Sequence, residues 1–154
     1  MRWNSDISEP IVEALYCEAL VLADEVRSAF DLPPVGEEIP QNDAVSLAHS
    51  VEGLRTTTRM MHILAWLLNQ RAYFSGELSE TQVRRHGELP EDRESDEEQV
   101  ALLSDDIRDI IAQTEDMHRR IARLDQAWRD GFEVNVPAVR QLHGRLESAF
   151  QQRP

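Results

Sequence analysis

Apolar residues recur at steps of three and four along four stretches of the chain, separated by prolines, glycines and acidic runs. Ile11, Leu15, Ala19, Leu22, Val26 and Phe30 form the first stripe, the spacing of one face of an amphipathic helix. The helix begins near Ser8, with Glu9 and Pro10 suited to its first turn, where a proline forfeits no bond. Asp31-Leu-Pro-Pro-Val-Gly-Glu-Glu-Ile-Pro40 cannot continue the helix and reads as a semi-rigid connection.

From Asp43, a fair N-cap, Leu47, Val51, Leu54, Thr58, Met61, Ala65, Leu68 and Ala72 alternate in steps of four and three. That is a heptad seam. Met60, Ile63, Leu64 and Leu67 add a second apolar face in the latter half. A helix apolar on more than one side is buried by more than one neighbour. The pattern asks for a bundle whose central helix also meets a second subunit or a client protein. Gly76 closes this helix.

Ser79–Glu98 reads as a polar, acidic connector. Ser79 and Gln82 stand at capping-box spacing for one short turn, while Pro90 and the acids after it leave the rest loose. Val100, Leu103, Ile107, Ile110, Thr114, Met117, Ile121, Leu124 and Trp128 then form the cleanest seam, stopped by Gly131. A narrower stripe, Val139, Leu142, Leu146 and Phe150, marks a short last helix. The expected fold is all-α and a single domain over 1–154, with helices at about 8–30, 43–75, 97–130 and 137–150. The three longer ones make an antiparallel three-helix bundle, with a long acidic loop between helices two and three.

Charge narrows the function. The 154 residues carry 29 acids against 16 basic residues, all arginine, for a net charge of −13. Phosphate neutralisation needs a basic face, so nucleic acid is not the expected partner. An anionic membrane surface is repelled by the same field. The longest apolar run, Met60–Leu68, is interrupted by His62 and too short to span a bilayer. Cys17, the single cysteine, permits no intrachain disulfide and falls in an apolar helical pattern, so a buried structural thiol is expected. With no signal-type segment after Met1-Arg-Trp-Asn, the expected location is the cytoplasm.

Few residues suggest chemistry. Leu47-Ala48-His49-Ser50-Val51-Glu52-Gly53 is similar to the Ala-His-x-Leu-Lys-Gly run of histidine phosphotransfer domains. His49 falls two residues past Leu47, on the outer face, and Gly53 is in place. Glu52, however, stands where a lysine should steady the phosphoryl charge, and a carboxylate there repels it. An ordinary surface histidine is the preferred reading, with His49 phosphotransfer as the alternative. Glu115-Asp-Met-His118 has the Glu-x-x-His spacing of di-iron bundles. The only possible mate, His49-x-x-Glu52, lies off the seam as it does, so no metal is expected. Without a Gly-rich phosphate loop, a Ser/His/Asp order or Cys/His ligand spacing, neither an enzyme nor a cofactor is expected.

Contacts are the better expectation. Arg55 and Arg59, one turn apart around Thr58, read either as a recognition strip for an acidic peptide or dimer mate, or as partners for acids of neighbouring helices. Trp66, Gln70 and Arg71 suit an interface anchor with a polar handle, or core packing of Trp66, and Leu67 joins them on the second apolar face. Arg84-Arg85-His86 is a lone basic cluster in the acidic connector, read as a solvated charge run.

From Ser46 onward the sequence resembles an alphaproteobacterial family. Leu54-Arg-Thr-Thr-Thr-Arg59-Met-Met, Ala65-Trp66-Leu-Leu, Gln70-Arg71-Ala72 and Gly76-Glu77 are similar to the central helix of the regulator of CtrA degradation (RcdA) family. The likeness runs from about Ala44 to Trp128 in order and spacing. It implies a three-helix bundle that forms a homodimer. It also implies an adaptor role, in which such proteins help deliver cell-cycle regulators to the ClpXP protease together with a single-domain response regulator. No catalytic residue comes with it. The founding member ends in a flexible tail, where this chain carries the helical pattern Pro137–Phe150.

Overall fold

A computed structural model describes residues 8–31 and 43–151, with the backbone alone over 131–140 and at 151. All regular structure among them is helical: α1 (Glu9–Asp31), α2 (Asp43–Phe74), α3 (Glu80–His86), α4 (Glu97–Val100) and α5 (Asp105–Gln151). The proline-rich connection expected up to Pro40 lies outside the described residues from 32 on.

Ser8 starts α1 as its position suggests. Its carbonyl accepts from the Val12 amide at 3.1 Å and its hydroxyl from the Ile11 amide at 3.4 Å. The buried face of α1 is Val12, Leu15, Ala19, Leu22 and Val26; Ile11, expected inside, is exposed, and Val12 takes its place. Cys17 is exposed rather than buried. Two residues beyond Leu15 is about 200° around a helix, which turns the thiol away from the core.

α1, α2 and α5 all pack on one another. Their shared core combines the α1 stripe with Met60, Ile63, Trp66 and Leu67 of α2 and Met117, Ile121 and Trp128 of α5. Val83 of α3 and Leu89 close it from one side. A smaller cluster, Ala48, Leu103 and Ile111 with Phe30 against it, lies toward the start of α2.

The two faces of α2 are reversed relative to the heptad reading. Leu47, Leu54, Met61 and Leu68, the core of the expected seam, are 60, 70, 64 and 48% exposed. The face turned inward is Ala48, Glu52, Thr56, Arg59, Met60, Ile63, Trp66, Leu67 and Gln70. A seam with leucines in register faces solvent, and a face with four polar residues faces the core. Burying polar residues is costly unless partners meet them; for Arg59 and Glu52 those partners come from the connector and α5.

α2 ends as Gly76 suggests. Gly76 takes a φ of 83°, its amide donates to Tyr73 O at 3.1 Å, and the Glu77 amide reaches Ala72 O at 2.9 Å. This is the Schellman closure, in which a side chain at the glycine would be strained.

The connector is better ordered than a loose acidic loop. The Ser79 hydroxyl accepts from the Gln82 amide at 3.2 Å, and the Gln82 side chain accepts from the Ser79 amide at 2.8 Å, so the capping box forms and starts α3. Residues 87–96 have no regular structure, and Asp96 caps α4 through the Glu98 amide at 3.0 Å. The expected third helix is thus interrupted between α4 and α5, where Ser104 precedes Asp105 and Asp106 in a fresh first turn.

α5 runs on through Gly131 and Pro137, so the expected stop and separate last helix are one continuous element. An interior glycine costs about 1 kcal/mol against alanine, and a proline about 3. Neither ends a helix whose flanks favour it. Every residue from Gln141 to Phe150 is exposed, including Leu142, Leu146 and Phe150. Among the described residues no helix is long and apolar enough to cross a membrane.

Candidate interaction site

The inward face of α2 is a ladder of polar groups at helical spacing, and Glu52, Arg59 and the Trp66 indole each reach a different partner across the fold. Arg59 is the most heavily engaged. Its Nε donates to Asp92 Oδ2 at 2.7 Å, Nη1 to Thr114 Oγ1 at 2.9 Å and Nη2 to the Arg93 carbonyl at 3.1 Å. Thr114 in turn donates to Ile111 O at 2.7 Å. The planar guanidinium fork fits three acceptors on α5 and the connector together, which a lysine cannot do.

Below Arg59, Trp66 donates its indole N–H to Asp125 Oδ1 at 3.0 Å. Asp125 also accepts from the Leu89 amide at 3.3 Å and from Arg129 Nε at 3.2 Å. Above it, the buried Glu52 accepts from Arg55 Nη1 at 2.8 Å and from the Asp96 amide at 3.3 Å. Gln70, at the far end, has both side-chain polar atoms buried without a protein partner among the described residues.

The residues singled out for partner contacts therefore divide. Arg59, Trp66, Leu67 and Gln70 are buried in the chain's own interior and present no free surface. The reason is the reversal of α2: the Leu67 face, not the Leu54 face, meets α1. Arg55 is half-buried and neutralises Glu52 on its own helix. Arg71 bridges to α1, pairing with Glu13 at 2.7 Å and lying 4.3 Å above the Tyr16 ring. The hydrogen bond to Glu13 raises the Arg71 pKa above the ordinary guanidinium value.

His49 is half-buried, with its ring 5.3 Å from that of Phe30. A Cβ on Gly53 would come within 3.0 Å of Phe30 Cδ1, so this glycine admits the end of α1 rather than a docking receiver. The neighbouring Glu52 is turned inward and engaged. His118 Nε2 meets the Pro90 carbonyl at 3.1 Å instead of standing with a second Glu-x-x-His pair. Among the described residues no group of three or more His, Cys, Asp or Glu side chains is placed to hold a metal ion. The basic Arg84-Arg85-His86 run forms the last turn of α3, where positive charge complements the helix dipole.

Sequence patterning did not single out Asp92, Thr114 or Asp125 as partners of this ladder. Asp92 is one acid among many in its segment, and only the fold selects it. Thr114 lies on the expected α5 seam, and that position was its single signal.

The family model described as "Protein of unknown function (DUF1465)" matches residues 4–150. The chain belongs to this family. No curated protein and no solved structure matches it. Within the matched span of this DUF1465 chain lie the polar ladder, the connector that meets it and the outward face of α2.

That outward face is the second surface of note. From Ala44 to Phe74 no exposed residue is charged; the exposed positions are Ala, Ser, Thr, Leu and Met. Charged residues make up 29% of the chain, so a helix face of this length without one stands apart from the rest of the surface.

Proposed function

We propose that this DUF1465 chain is a non-enzymatic regulatory adaptor: an antiparallel three-helix bundle that pairs with a second copy and tethers one protein to another. The observation that carries the reading is the uncharged outward face of α2, with Leu47, Leu54, Met61 and Leu68 at seven-residue intervals. Interface centres are depleted of charge and enriched in residues such as Met. A chain of net charge −13 repels its own copy, so a charge-free strip is where two copies approach at least electrostatic cost. From Leu47 to Leu68 the strip is about 32 Å long at helical rise. Ser50, Thr57, Thr58 and Ala65 beside the leucines are small enough for close approach.

A second exposed apolar surface, Leu142, Leu146 and Phe150 at the end of α5, lies on a different element. An adaptor needs two surfaces, because tethering works by raising effective concentration. The resemblance of the α2 motif to the regulator of CtrA degradation family adds the finer reading. On it, the protein acts in the cytoplasm with ClpXP, a single-domain response regulator and client proteins, and with neither nucleic acid nor membrane.

The test has two parts. Solution mass should be that of a dimer for the wild type and of a monomer for Leu54→Glu/Met61→Glu. Co-purification with ClpX or a receiver protein should be retained by the wild type. A monomeric wild type removes the pairing; failure to bind ClpX or a receiver, alone or combined, removes the protease role and leaves the fold intact.

A further inference from the structure

Residues 87–96 are irregular, yet they are held as an extended peptide is held in a groove. The Leu89 side chain enters the core and its amide donates to Asp125. The Pro90 carbonyl meets His118, the Asp92 carboxylate and the Arg93 carbonyl both meet Arg59, and the Asp96 amide meets Glu52. The receiving groups stand on α2 and α5. The segment supplies main-chain groups, one leucine and one carboxylate, a division seen where peptides bind by backbone contacts with side-chain pockets for selection.

The segment is seated but not sealed. A cleft remains between it and α5, lined by Pro90, Glu91, Glu94, Glu115, Arg119 and Gln126. Where it enters α4, Glu52 Oε2, Thr56 Oγ1, Ser95 Oγ and Gln99 Oε1 are buried without protein partners among the described residues. Such groups recover hydration when a segment lifts. Leu89 is its one buried large apolar side chain, and segments with few apolar contacts open at low free energy. Lifting it would leave the Arg59 guanidinium without a counter-charge, so only an acidic replacement restores the balance.

We propose that the groove between α2 and α5 is a docking site for an extended acidic peptide segment of a partner protein, and that residues 87–96 are its resident, displaceable occupant. The peptide carries a leucine-sized side chain for the Leu89 position and a carboxylate three residues later for Arg59. This names the chemistry of a partner and rests on the adaptor reading for that partner's role. Pairing through the outward face of α2 is a separate contact, read by mass rather than by peptide binding.

The experiment uses the full chain and a fluorescein-labelled peptide with the sequence of residues 87–96. A control peptide carries asparagine in place of the aspartate matching Asp92. Leu89→Ser/Asp92→Asn unseats the resident segment. This double variant should bind the acidic peptide at least about tenfold more tightly than the wild type, whose tethered segment competes at high effective concentration. The control peptide should bind about tenfold more weakly, a loss expected for one charge-assisted contact. A folded double variant that binds neither peptide, or both alike, overturns the proposal. Should the double variant not fold, wild-type hydrogen exchange decides. Leu89 and Asp96 amides exchanging at least about a hundredfold faster than that of Ile63 are expected for a displaceable segment; equal rates overturn it.

Discussion

Arg59 and Asp92, 33 residues apart in sequence, form an ion pair of 2.7 Å in which the guanidinium is sealed from solvent. The pair joins the middle of α2 to a segment without regular structure, and Thr114 extends it to α5. A buried cation is tolerated only when its donors are met, and here one carboxylate, one hydroxyl and one carbonyl meet them.

The two sides of this pair should therefore fail differently. Asp92→Asn leaves a buried guanidinium without a counter-charge and should cost about 3 kcal/mol, the lower end for a broken buried pair. Arg59→Leu/Asp92→Leu removes both charges and should cost less than half as much, since apolar replacement of a buried pair is often close to neutral. Urea denaturation of the two variants beside Arg59→Leu and Asp92→Leu closes the double-mutant cycle. Additive losses would mean that the charges do not act on each other.

The reversal of α2 gives a second contrast. Leu67→Ala empties a site packed against α1 and should lose about 2–5 kcal/mol. Leu54→Ala, on the outward face, should stay within about 0.5 kcal/mol when measured at concentrations where the chain is monomeric. A large loss at Leu54 in the monomer would place that residue in the core after all.

How far the sequence could be read follows from which faces are polar. The α1 stripe and the α5 seam were legible because most of their inward residues are apolar; Thr114, His118 and Asp125 of α5 are the buried polar exceptions. α2 offers no such contrast. Its outward face has leucines in heptad register, while its inward face carries Glu52, Thr56, Arg59 and Gln70. Periodicity treats polarity as exposure, and the long-range partners of Arg59 and Glu52 lie 33 to 55 positions away. The same limit hid the site. Arg55 and Arg59 were visible as a strip, but not that Arg59 would be claimed by the chain's own acidic segment. The run through Gly131 and Pro137 was missed because both are punctuation signals whose cost a long helix absorbs.

Glycine substitutions should separate tight from open backbone. A Cβ on Gly87 would come within 2.5 Å of Val83 O, a main-chain atom that already accepts the Gly87 amide at 2.7 Å. Gly87→Ala must displace the end of α3 and should cost about 1–3 kcal/mol, as overpacking does. Gly144 lies in the exposed part of α5 with nothing within 4 Å of its added Cβ. Gly144→Ala should stabilise the helix there by about 0.5–1 kcal/mol. Far-ultraviolet circular dichroism melts register both, and like signs would contradict the local geometry.

The end of α5 supplies the last test. Gln141–Phe150 packs on nothing within the described chain: every residue there is exposed, and Leu142, Leu146 and Phe150 form an apolar stripe facing solvent. Removing residues 141–154 should therefore cost the monomer no more than a set of surface changes, about 0.5 kcal/mol or roughly 1–2 °C in Tm. Helical signal should fall only in proportion to the residues removed. The stripe predicts a different result where it has a mate. If a second copy covers Leu142, Leu146 and Phe150, the truncation lowers Tm by an amount that grows with protein concentration, because a partner that binds only the folded state stabilises it by mass action. Melting both proteins across a range of concentrations distinguishes the two: a constant difference assigns the helix end to solvent or another protein, and a widening one assigns it to self-association.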